Sequence, residues 1–296
     1  MSTAKFTFGA DPEFFIESRK DGRIIPAWMV PDLKLGTKGA SEPLIGTASG
    51  ILLDGATLEL NTQAFPSMMR LSASIRKAEV VLSEILAAHG YDLSKANSWL
   101  NIPTEYMQDE RIAVLGCDPD FSSWELYGNE RPPPKPEALG RRRFSGAHLH
   151  IGVDPWPAML PKNYFVEFLD LMVCNAMEYA NLPSDFVCSG YRAGFYGYPG
   201  LFRPKSYGVE YRSLGFSWWH YPKFYRKLEG DIKSIVKLAS SEDGIKELGT
   251  IHSGHMARFE GGRPSFRDIW GTAEHFKEKL LYIMMKDVRE EPANGG

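Results

Sequence analysis

Four short runs of the chain carry polar residues two positions apart with a single residue between them. One run holds two histidines and the other three are rich in acids; the runs are Asp11-Pro12-Glu13, Glu59-Leu60-Asn61, His148-Leu149-His150 and Glu210-Tyr211-Arg212. Side chains at i and i+2 of a β-strand point to the same face. The runs therefore predict strands that place acids and bases on one face of a sheet. The alternative for each run is an ordinary amphipathic strand without a chemical role.

The acids of these runs are of the kind that bind hard divalent cations. Oxygen ligands with a single imidazole suit Mg²⁺ or Mn²⁺, whereas zinc sites usually contain more His or Cys. Carboxylates that converge repel one another unless cations lie among them. The candidate metal ligands are Asp11, Glu13, Glu59, His148 and Glu210.

Cationic side chains form a second set of candidates. Residues 191–212 are dense in glycine, aromatic and basic residues and contain Arg192, Arg203, Lys205 and Arg212. An arginine fork binds carboxylate or phosphate through two hydrogen bonds. Carboxylates, metal ions and arginines on one sheet face are the composition expected for phosphoryl transfer. For any single arginine, a surface role is the alternative.

Three other features of the sequence concern the same candidate site. Lys38, in Gly36-Thr37-Lys38-Gly39, is a candidate for cofactor contact, although no strand–loop–helix pattern makes this loop a Walker A motif. Tyr207 and the other tyrosines of 191–212 are expected to pack rather than react. The proline-rich, basic segment 131–143 is either a solvated connector or a flap, and Arg141-Arg142-Arg143 slightly favours an anionic substrate.

The bulk composition limits the class of protein. The 296 residues carry a net charge of −3 with a pI of about 6.2, which does not indicate a nucleic-acid partner. No run of 18 apolar residues predicts a membrane span. Three cysteines without a CxxC motif, and a start without a signal-peptide pattern, lead us to expect a cytoplasmic protein.

The pattern of apolar residues predicts the architecture. Apolar stripes at helical spacing indicate helices at 67–89, 160–180, 224–240 and 272–286. Strands and helices are mixed without strict alternation, which favours an α+β fold whose mainly antiparallel, curved sheet has its helices on the outer face. No low-complexity linker divides the chain, so we expect a single domain over 1–296.

Several motifs resemble those of one superfamily of ligases. Ser145-Gly146-Ala147-His148-Leu149-His150 is similar to the SGxHxH strand of glutamine synthetases, Glu210-Tyr211-Arg212 to their late ExR strand and Asp11-Pro12-Glu13 to their early ExE metal strand. Asp11 is one methylene shorter than the usual Glu. Over residues 7–216 the chain most resembles the type 2 COOH–NH2 ligases (amidoligases) of tailed phages, in the superfamily that includes glutamate–cysteine ligase.

The resemblance implies a glutamine synthetase-like catalytic domain that uses ATP and Mg²⁺ or Mn²⁺. It implies one metal on Asp11, His148 and Glu210 and a second on Glu13 and Glu59. It also implies that His150 lies near the phosphates and that Arg212 meets an anion, with Arg203 and Lys205 assisting. Independently of the resemblance, Arg192 and Lys38 are further candidates for binding the cofactor. The general base is open, with Asp118 and Asp120 as candidates.

The expected activity is ATP-dependent formation of an amide from a carboxylate and an amine, through an acyl phosphate. The substrates would be small molecules or peptides, in the host cytoplasm if the protein is phage-encoded. A kinase-like phosphotransferase on the same fold is one alternative. A non-catalytic binding or virion-associated protein is the other.

Overall fold

The computed structural model describes residues 4–94, 99–113, 120–124, 130–131, 139–183, 197–215, 217–256 and 268–269. The strands within them are β1 (Lys5–Phe14), β2 (Ile16–Ser18), β3 (Ile24–Ile25), β4 (Glu42–Pro43), β5 (Ser49–Asp54), β6 (Thr57–Thr62), β7 (Tyr91–Leu93), β8 (Trp99–Asn101), β9 (Asp120–Ser122), β10 (Glu130–Arg131), β11 (Arg142–Phe144), β12 (Ala147–Asp154), β13 (Leu201–Lys205) and β14 (Gly208–Tyr211). The helices are α1 (Met68–Ala88), α2 (Glu110–Ala113), α3 (Lys162–Tyr179), α4 (Pro222–Leu238) and α5 (Glu242–Met256). Short 3₁₀ turns lie at Ala27–Met29, Thr104–Tyr106 and Trp218–His220.

One large sheet dominates the described part of the chain. Its strand order is β10-β9-β13-β14-β12-β1-β6-β5-β4, and each pairing between neighbours is antiparallel. The four polar runs lie on β14, β12, β1 and β6, which are consecutive in this order, with Arg212 directly after β14. The expected α+β fold with a mainly antiparallel sheet is confirmed.

The sheet is amphipathic because its strands alternate. The apolar partners of the polar runs are fully buried, including Phe8 and Leu149, and so is Tyr211 of β14. Helix α1 packs against β1, β5 and β6, while α3 packs against β13 and β14. Burying an aromatic or branched aliphatic side chain contributes about 1.5–3 kcal/mol. This apolar layer therefore fixes which face of each strand is left for polar side chains.

The helices follow from their sequence patterns. Helix α1 begins after Ser67, whose hydroxyl accepts a hydrogen bond from the Arg70 amide at 3.3 Å. Its buried residues recur at spacings of three and four, and the chain turns at Gly90 with a φ of 81°. Helix α3 is buried on all sides from Phe165 to Met177, as expected for a helix enclosed between a sheet and other helices.

The expected helices at 67–89, 160–180 and 224–240 correspond to α1, α3 and α4 within a few residues. Helix α5 was not predicted, and the expected helix at 272–286 lies outside the described residues. Among the residues that the structure describes, no helix is both long and apolar enough to cross a membrane.

Candidate active site

The register of the sheet decides which polar side chains are neighbours. Asp11 lies opposite His148, and Glu13 lies opposite Glu59. His150 lies opposite Glu210, which in turn lies opposite Arg203 on β13. Directly opposed residues have Cβ atoms about 4.5–5.5 Å apart. The polar face therefore carries its acids and bases in adjoining rows across five strands.

These rows line one cavity of about 380 Å³. All five candidate metal ligands border it, as do His150, Arg203, Lys205, Arg212 and Lys38. Two residues that had no assigned role, Asp54 and Arg111, border it as well. A second cavity of about 410 Å³ adjoins the first and shares Asp11, Asn61 and His150 with it. The predicted site residues that the structure describes thus converge.

Asp11, His150 and Glu210 form the first group able to hold a cation. One ligand atom from each lies within 4.8 Å of the others. His150 Nε2 is 3.3 Å from Asp11 Oδ2, and its Nδ1 is 2.5 Å from the Tyr207 hydroxyl. Burial alone would raise the pKa of Asp11, but the neighbouring imidazoles of His148 and His150 hold it well below its ordinary value. Asp11 is therefore an anionic ligand at neutral pH.

The geometry groups His150, not His148, with Asp11 and Glu210. His148 Nδ1 is 3.1 Å from Arg212 Nη1 and 3.3 Å from Asp11 Oδ1. Burial and the Arg212 charge lower the pKa of His148, so the ring is neutral and its Nδ1 accepts the arginine hydrogen bond. That nitrogen is then occupied. In this arrangement His150, which is opposite Glu210, is the imidazole placed to join Asp11 and Glu210 in binding a cation.

Glu13, Asp54 and Glu59 form the second group, again with ligand atoms within 4.8 Å of one another. Glu13 Oε2 accepts a hydrogen bond of 2.8 Å from the Gly146 amide, which ties β1 to the turn before β12. Burial, together with the charges of Asp11, Glu13 and Asp54, raises the pKa of Glu59 to about 10. Crowded carboxylates of this kind resist ionisation until a cation joins them.

Both groups have the donor chemistry of divalent-cation sites. Asp11 Oδ1 is buried without a hydrogen bond in the described structure, although oxygens of buried carboxylates normally have a partner. The ligand atoms are carboxylate oxygens with one imidazole, the set that suits Mg²⁺ or Mn²⁺. A magnesium or manganese ion would satisfy Asp11 Oδ1 and relieve the repulsion around Glu59.

Three cationic side chains surround Glu210. Its Oε1 accepts hydrogen bonds from Arg212 Nη1 at 2.5 Å and Arg203 Nη1 at 3.2 Å, and its Oε2 is 2.7 Å from Lys205 Nζ. Burial would raise the pKa of Glu210, but the charges of Arg212 and Arg203 outweigh it and lower the pKa to about 2. These cations border the cavity and could meet an anion there.

Other predicted residues lie outside the described part of the chain or make contacts that differ from those expected. Arg192 and Asp118 lie outside the described residues, as does the side chain of Asp120. Tyr207, expected to pack, instead contacts His150 and is 45% exposed. The basic triplet does not line either cavity: Arg141 Nε donates to the Ile102 carbonyl, and the buried Arg143 donates to three backbone carbonyls. Those two arginines fasten loops, and the proline-rich part of the segment, residues 132–138, lies outside the described residues.

Asp54 and Arg111 were not among the predicted site residues. Asp54 and Thr57 close the β5–β6 hairpin as a pair, which places Asp54 diagonally from Glu59 on the same face. Continuing the alternation of β6 back through the two-residue turn would have found it. Arg111 lies on a four-residue helix with no periodic pattern, so the sequence alone offered no signal.

No protein family matches the sequence, and no curated protein matches it either. Among solved structures, the fold is similar to one described as the complex between the prokaryotic ubiquitin-like protein Pup and its ligase PafA. The TM-score is 0.34 and the identity 12%, over 97% of this chain and 66% of that one. This chain thus spans slightly under two thirds of the chain it resembles.

Proposed function

We propose that the protein is an ATP-dependent carboxylate–amine ligase that forms an amide through an acyl phosphate. The observation that supports this most is the convergence of two carboxylate groups and a set of cationic side chains in one cavity. Phosphoryl transfer requires these components, because it depends on positioning and on neutralising charge. The resemblance of three of the runs to ligase motifs favours amide formation as the outcome.

The residues divide into two metal-binding groups. Asp11, His150 and Glu210 would bind one divalent cation, and a second would bind at Glu13, Asp54 and Glu59. When bound there, Mg²⁺ or Mn²⁺ would neutralise negative charge on the phosphate oxygens. The Tyr207 hydroxyl lies 2.5 Å from His150 Nδ1. A hydrogen bond from Nδ1–H to that hydroxyl would leave the Nε2 lone pair to bind the cation.

Arg203 and Lys205 bind the phosphates of ATP, and Lys38 and Arg192 are further candidates for cofactor contact. A carboxylate oxygen of the acid attacks the γ-phosphorus of ATP, and the bond to the ADP oxygen breaks. The amine nitrogen then attacks the acyl carbon, phosphate leaves and the nitrogen loses a proton. Arg212 neutralises charge on the phosphoryl group as it moves.

We infer that residues 1–296 act as one ligase-like domain, with small carboxylates and amines or peptides as substrates. The basis for a single unit is that the site is assembled from β1, β6, β12 and β14, which are spread over two hundred residues of sequence.

Hydroxylamine offers a test that does not require the natural amine. The protein is incubated with ATP, Mg²⁺, hydroxylamine and a panel of carboxylic acids, and ADP and hydroxamate are measured together. We expect equal amounts of both products from an acid that fits. Asp11→Asn should abolish both, while Asp92→Asn, which changes an exposed acid paired with Arg19, should not.

The alternatives give different products. A kinase-like enzyme would form ADP and a phosphorylated product at a rate that does not depend on the amine, and hydroxamate would not match ADP. A binding protein would form no ADP with any acid. Either result would reject the ligase.

A further inference from the structure

Strands β1 and β6 separate for a short stretch beside the first group of metal ligands, to which Asp11 belongs. Glu13 pairs with Glu59, and further along Phe8 exchanges two backbone hydrogen bonds with Phe65, at 2.7 and 2.8 Å. From Phe8 to Glu13 the first strand advances five residues, whereas its partner advances six from Glu59 to Phe65. The extra residue is a β-bulge, a feature that often lies next to functional sites and redirects side chains there.

The side chain of Thr62 bridges the gap between the two strands. Its hydroxyl accepts a hydrogen bond from the Ala10 amide at 2.8 Å and donates one to the Ala10 carbonyl at 2.9 Å. One side-chain oxygen thus replaces the backbone groups that a regular antiparallel partner would offer. Thr62 is itself held from the other side, because it pairs with Ser49 of β5. The bridge therefore connects β1 to a strand that is already fixed.

The bridge lies where β1 offers few backbone donors to β6. The N–H and C=O groups of successive residues in a strand point alternately to one neighbouring strand and to the other. Those of Phe8 and Ala10 point toward β6, so Pro12 is the next residue in that series. Proline has no N–H. The Ala10 amide is therefore the donor nearest to Asp11 on this side of β1, and its acceptor is Thr62.

Asp11 is the metal ligand that this arrangement affects most directly, because it follows Ala10 in the chain. Its Oδ2 is 3.3 Å from His150 Nε2, and its Oδ1 is 3.3 Å from His148 Nδ1. The side chain has only two rotatable bonds, so a displacement of the backbone is passed on to the carboxylate. Distances between a metal and its ligands tolerate changes of only about 0.2 Å. A small shift of β1 would therefore weaken cation binding.

The same gap forms a wall of the second cavity. Gly9 and Ala10 line that cavity from β1, and Thr62 and Ala64 line it from the other side of the gap. A Cβ atom on Gly9 would lie 3.6 Å from the Cβ of His150 and 3.7 Å from the Thr62 hydroxyl oxygen. The one proton of this hydroxyl is already donated to Ala10. Thr62 therefore cannot donate to a ligand, and its position suits a supporting role.

We propose that Thr62 is a positioning residue of the first group of metal ligands. Its hydroxyl holds the backbone of β1 next to Asp11 and so fixes the Asp11 carboxylate. Thr62 supplies no ligand atom and acts through Ala10. The inference rests on the metal groups of the proposed function, but it does not depend on amide formation.

The test is a titration with Mn²⁺ in the absence of nucleotide, in which electron paramagnetic resonance measures the free ion. Thr62→Val keeps the branched shape but loses the hydroxyl. It should weaken one class of Mn²⁺ site about 10-fold, as the loss of a partner behind a metal ligand does. Thr62→Ser keeps the hydroxyl and should bind Mn²⁺ like the wild type. If the valine variant does not fold, Thr62→Ala removes the same hydroxyl and should show the same loss.

Thr47→Val is the matched control. The Thr47 hydroxyl also has both roles, because it donates to the Leu44 carbonyl at 2.8 Å and accepts from the Ser49 amide at 3.2 Å. Thr47 is half-buried like Thr62, lies in the turn between β4 and β5 and lines neither of the two cavities. Its substitution should lower the melting temperature and leave Mn²⁺ affinity unchanged. The comparison separates a general loosening of the sheet from an effect on Asp11.

A double variant shows whether Thr62 acts through Asp11. Asp11→Asn disables the first group, so adding Thr62→Val should weaken the remaining Mn²⁺ binding no further. A further loss in the double variant overturns the inference, as does an equal loss in Thr62→Ser or Thr47→Val. Unchanged affinity in Thr62→Val, or a wild type that binds no Mn²⁺, overturns it as well.

The hydroxamate assay decides the ligase proposal separately. A protein that shows the expected Mn²⁺ affinities but forms no hydroxamate keeps the role of Thr62 and loses the ligase. A protein that forms hydroxamate while Thr62→Val binds Mn²⁺ normally keeps the ligase and loses the role of Thr62.

Discussion

Arg212 illustrates how one residue can serve both the fold and the chemistry. It is buried, donates to Glu210 at 2.5 Å and lies 3.1 Å from His148 Nδ1. The same guanidinium borders the cavity where a phosphoryl group would move. Pairing with the buried Glu210 is a structural role. Only a measurement that separates stability from turnover distinguishes the two.

We predict that Arg212→Ala lowers turnover about a hundredfold, or on the order of 3 kcal/mol, while ATP affinity changes little. A donor aimed at a transition state contributes more there than in the ground state. Arg212→Lys should recover little, because a point charge does not replace the fork. Single-turnover ADP formation and the melting temperature are measured on the same sample. A destabilised variant with normal turnover per folded molecule would leave Arg212 a purely structural role.

Glu59 gives a prediction about protons. With a pKa of about 10, raised by burial and by three neighbouring acids, it is neutral at pH 7 without metal. Binding Mn²⁺ should ionise it and release about one proton, so that metal affinity rises with pH. Calorimetry in buffers with different ionisation enthalpies counts the proton. Glu59→Gln should bind Mn²⁺ more weakly and release none; unchanged proton release in that variant would contradict the prediction.

The same residue links pH to the stability of the metal-free protein. In the unfolded chain Glu59 ionises near its ordinary value of 4.5, whereas in the folded protein it stays protonated to about 10. Between these values the unfolded state binds fewer protons, so the free energy of unfolding falls as pH rises. Glu59→Gln should therefore stabilise the metal-free protein at pH 8. Urea unfolding at pH 5 and pH 8 checks the difference between the two proteins.

At the scale of elements, α3 supports the reverse side of the site. The Tyr211 hydroxyl, between Glu210 and Arg212 in sequence, donates to Asp170 of α3 at 2.6 Å. Asp170 also accepts from Trp124 Nε1 at 2.5 Å and is fully buried. This pair joins the strand that carries Glu210 to the helix behind the sheet.

We predict that Tyr211→Phe lowers the free energy of unfolding by about 1–3 kcal/mol, because Asp170 loses a donor in a buried place. Tyr225→Phe is a matched control, since Tyr225 is equally buried but has no hydroxyl hydrogen bond within the described residues. Its loss should be clearly smaller. Equal losses in urea unfolding would show that the Tyr211–Asp170 bond contributes nothing of its own.

The elements also show what the sequence could predict. Alternation within each run determines which side chains share a face, because the period of a strand is fixed. It does not determine strand order or register, which depend on contacts between distant segments. Register is what places His150, and not His148, opposite Glu210. The position of Asp54 depends on the register of the β5–β6 hairpin, and that of Arg111 depends on the packing of a small apolar cluster. Neither residue was predicted.

At the scale of the whole molecule, the two metal groups would connect strands that are distant in sequence. The first joins β1, β12 and β14, and the second joins β1 with both strands of the β5–β6 hairpin. A cation that binds only the folded chain stabilises it by about 2.7 kcal/mol at a hundred times its Kd. For a protein of this size, that energy corresponds to a rise of several degrees in melting temperature. Mn²⁺ should therefore protect the whole sheet against heat.

We predict that Asp11→Asn reduces this rise to the part that the second group, Glu13, Asp54 and Glu59, contributes. An amide cannot supply the negative charge that the first group provides, and Asp11 Oδ1, now without a hydrogen bond, is the oxygen best placed to bind a cation. Asp92→Asn is the control, because it removes a surface acid of the Arg19 pair and is not part of either group. Its melting temperature without metal could shift, but the increment produced by Mn²⁺ should equal that of the wild type. The increment is measured by calorimetric scans with Mn²⁺ and with a chelator. An Asp11→Asn protein that gains the full increment would place the cation elsewhere and remove the main support for phosphoryl transfer in this cavity.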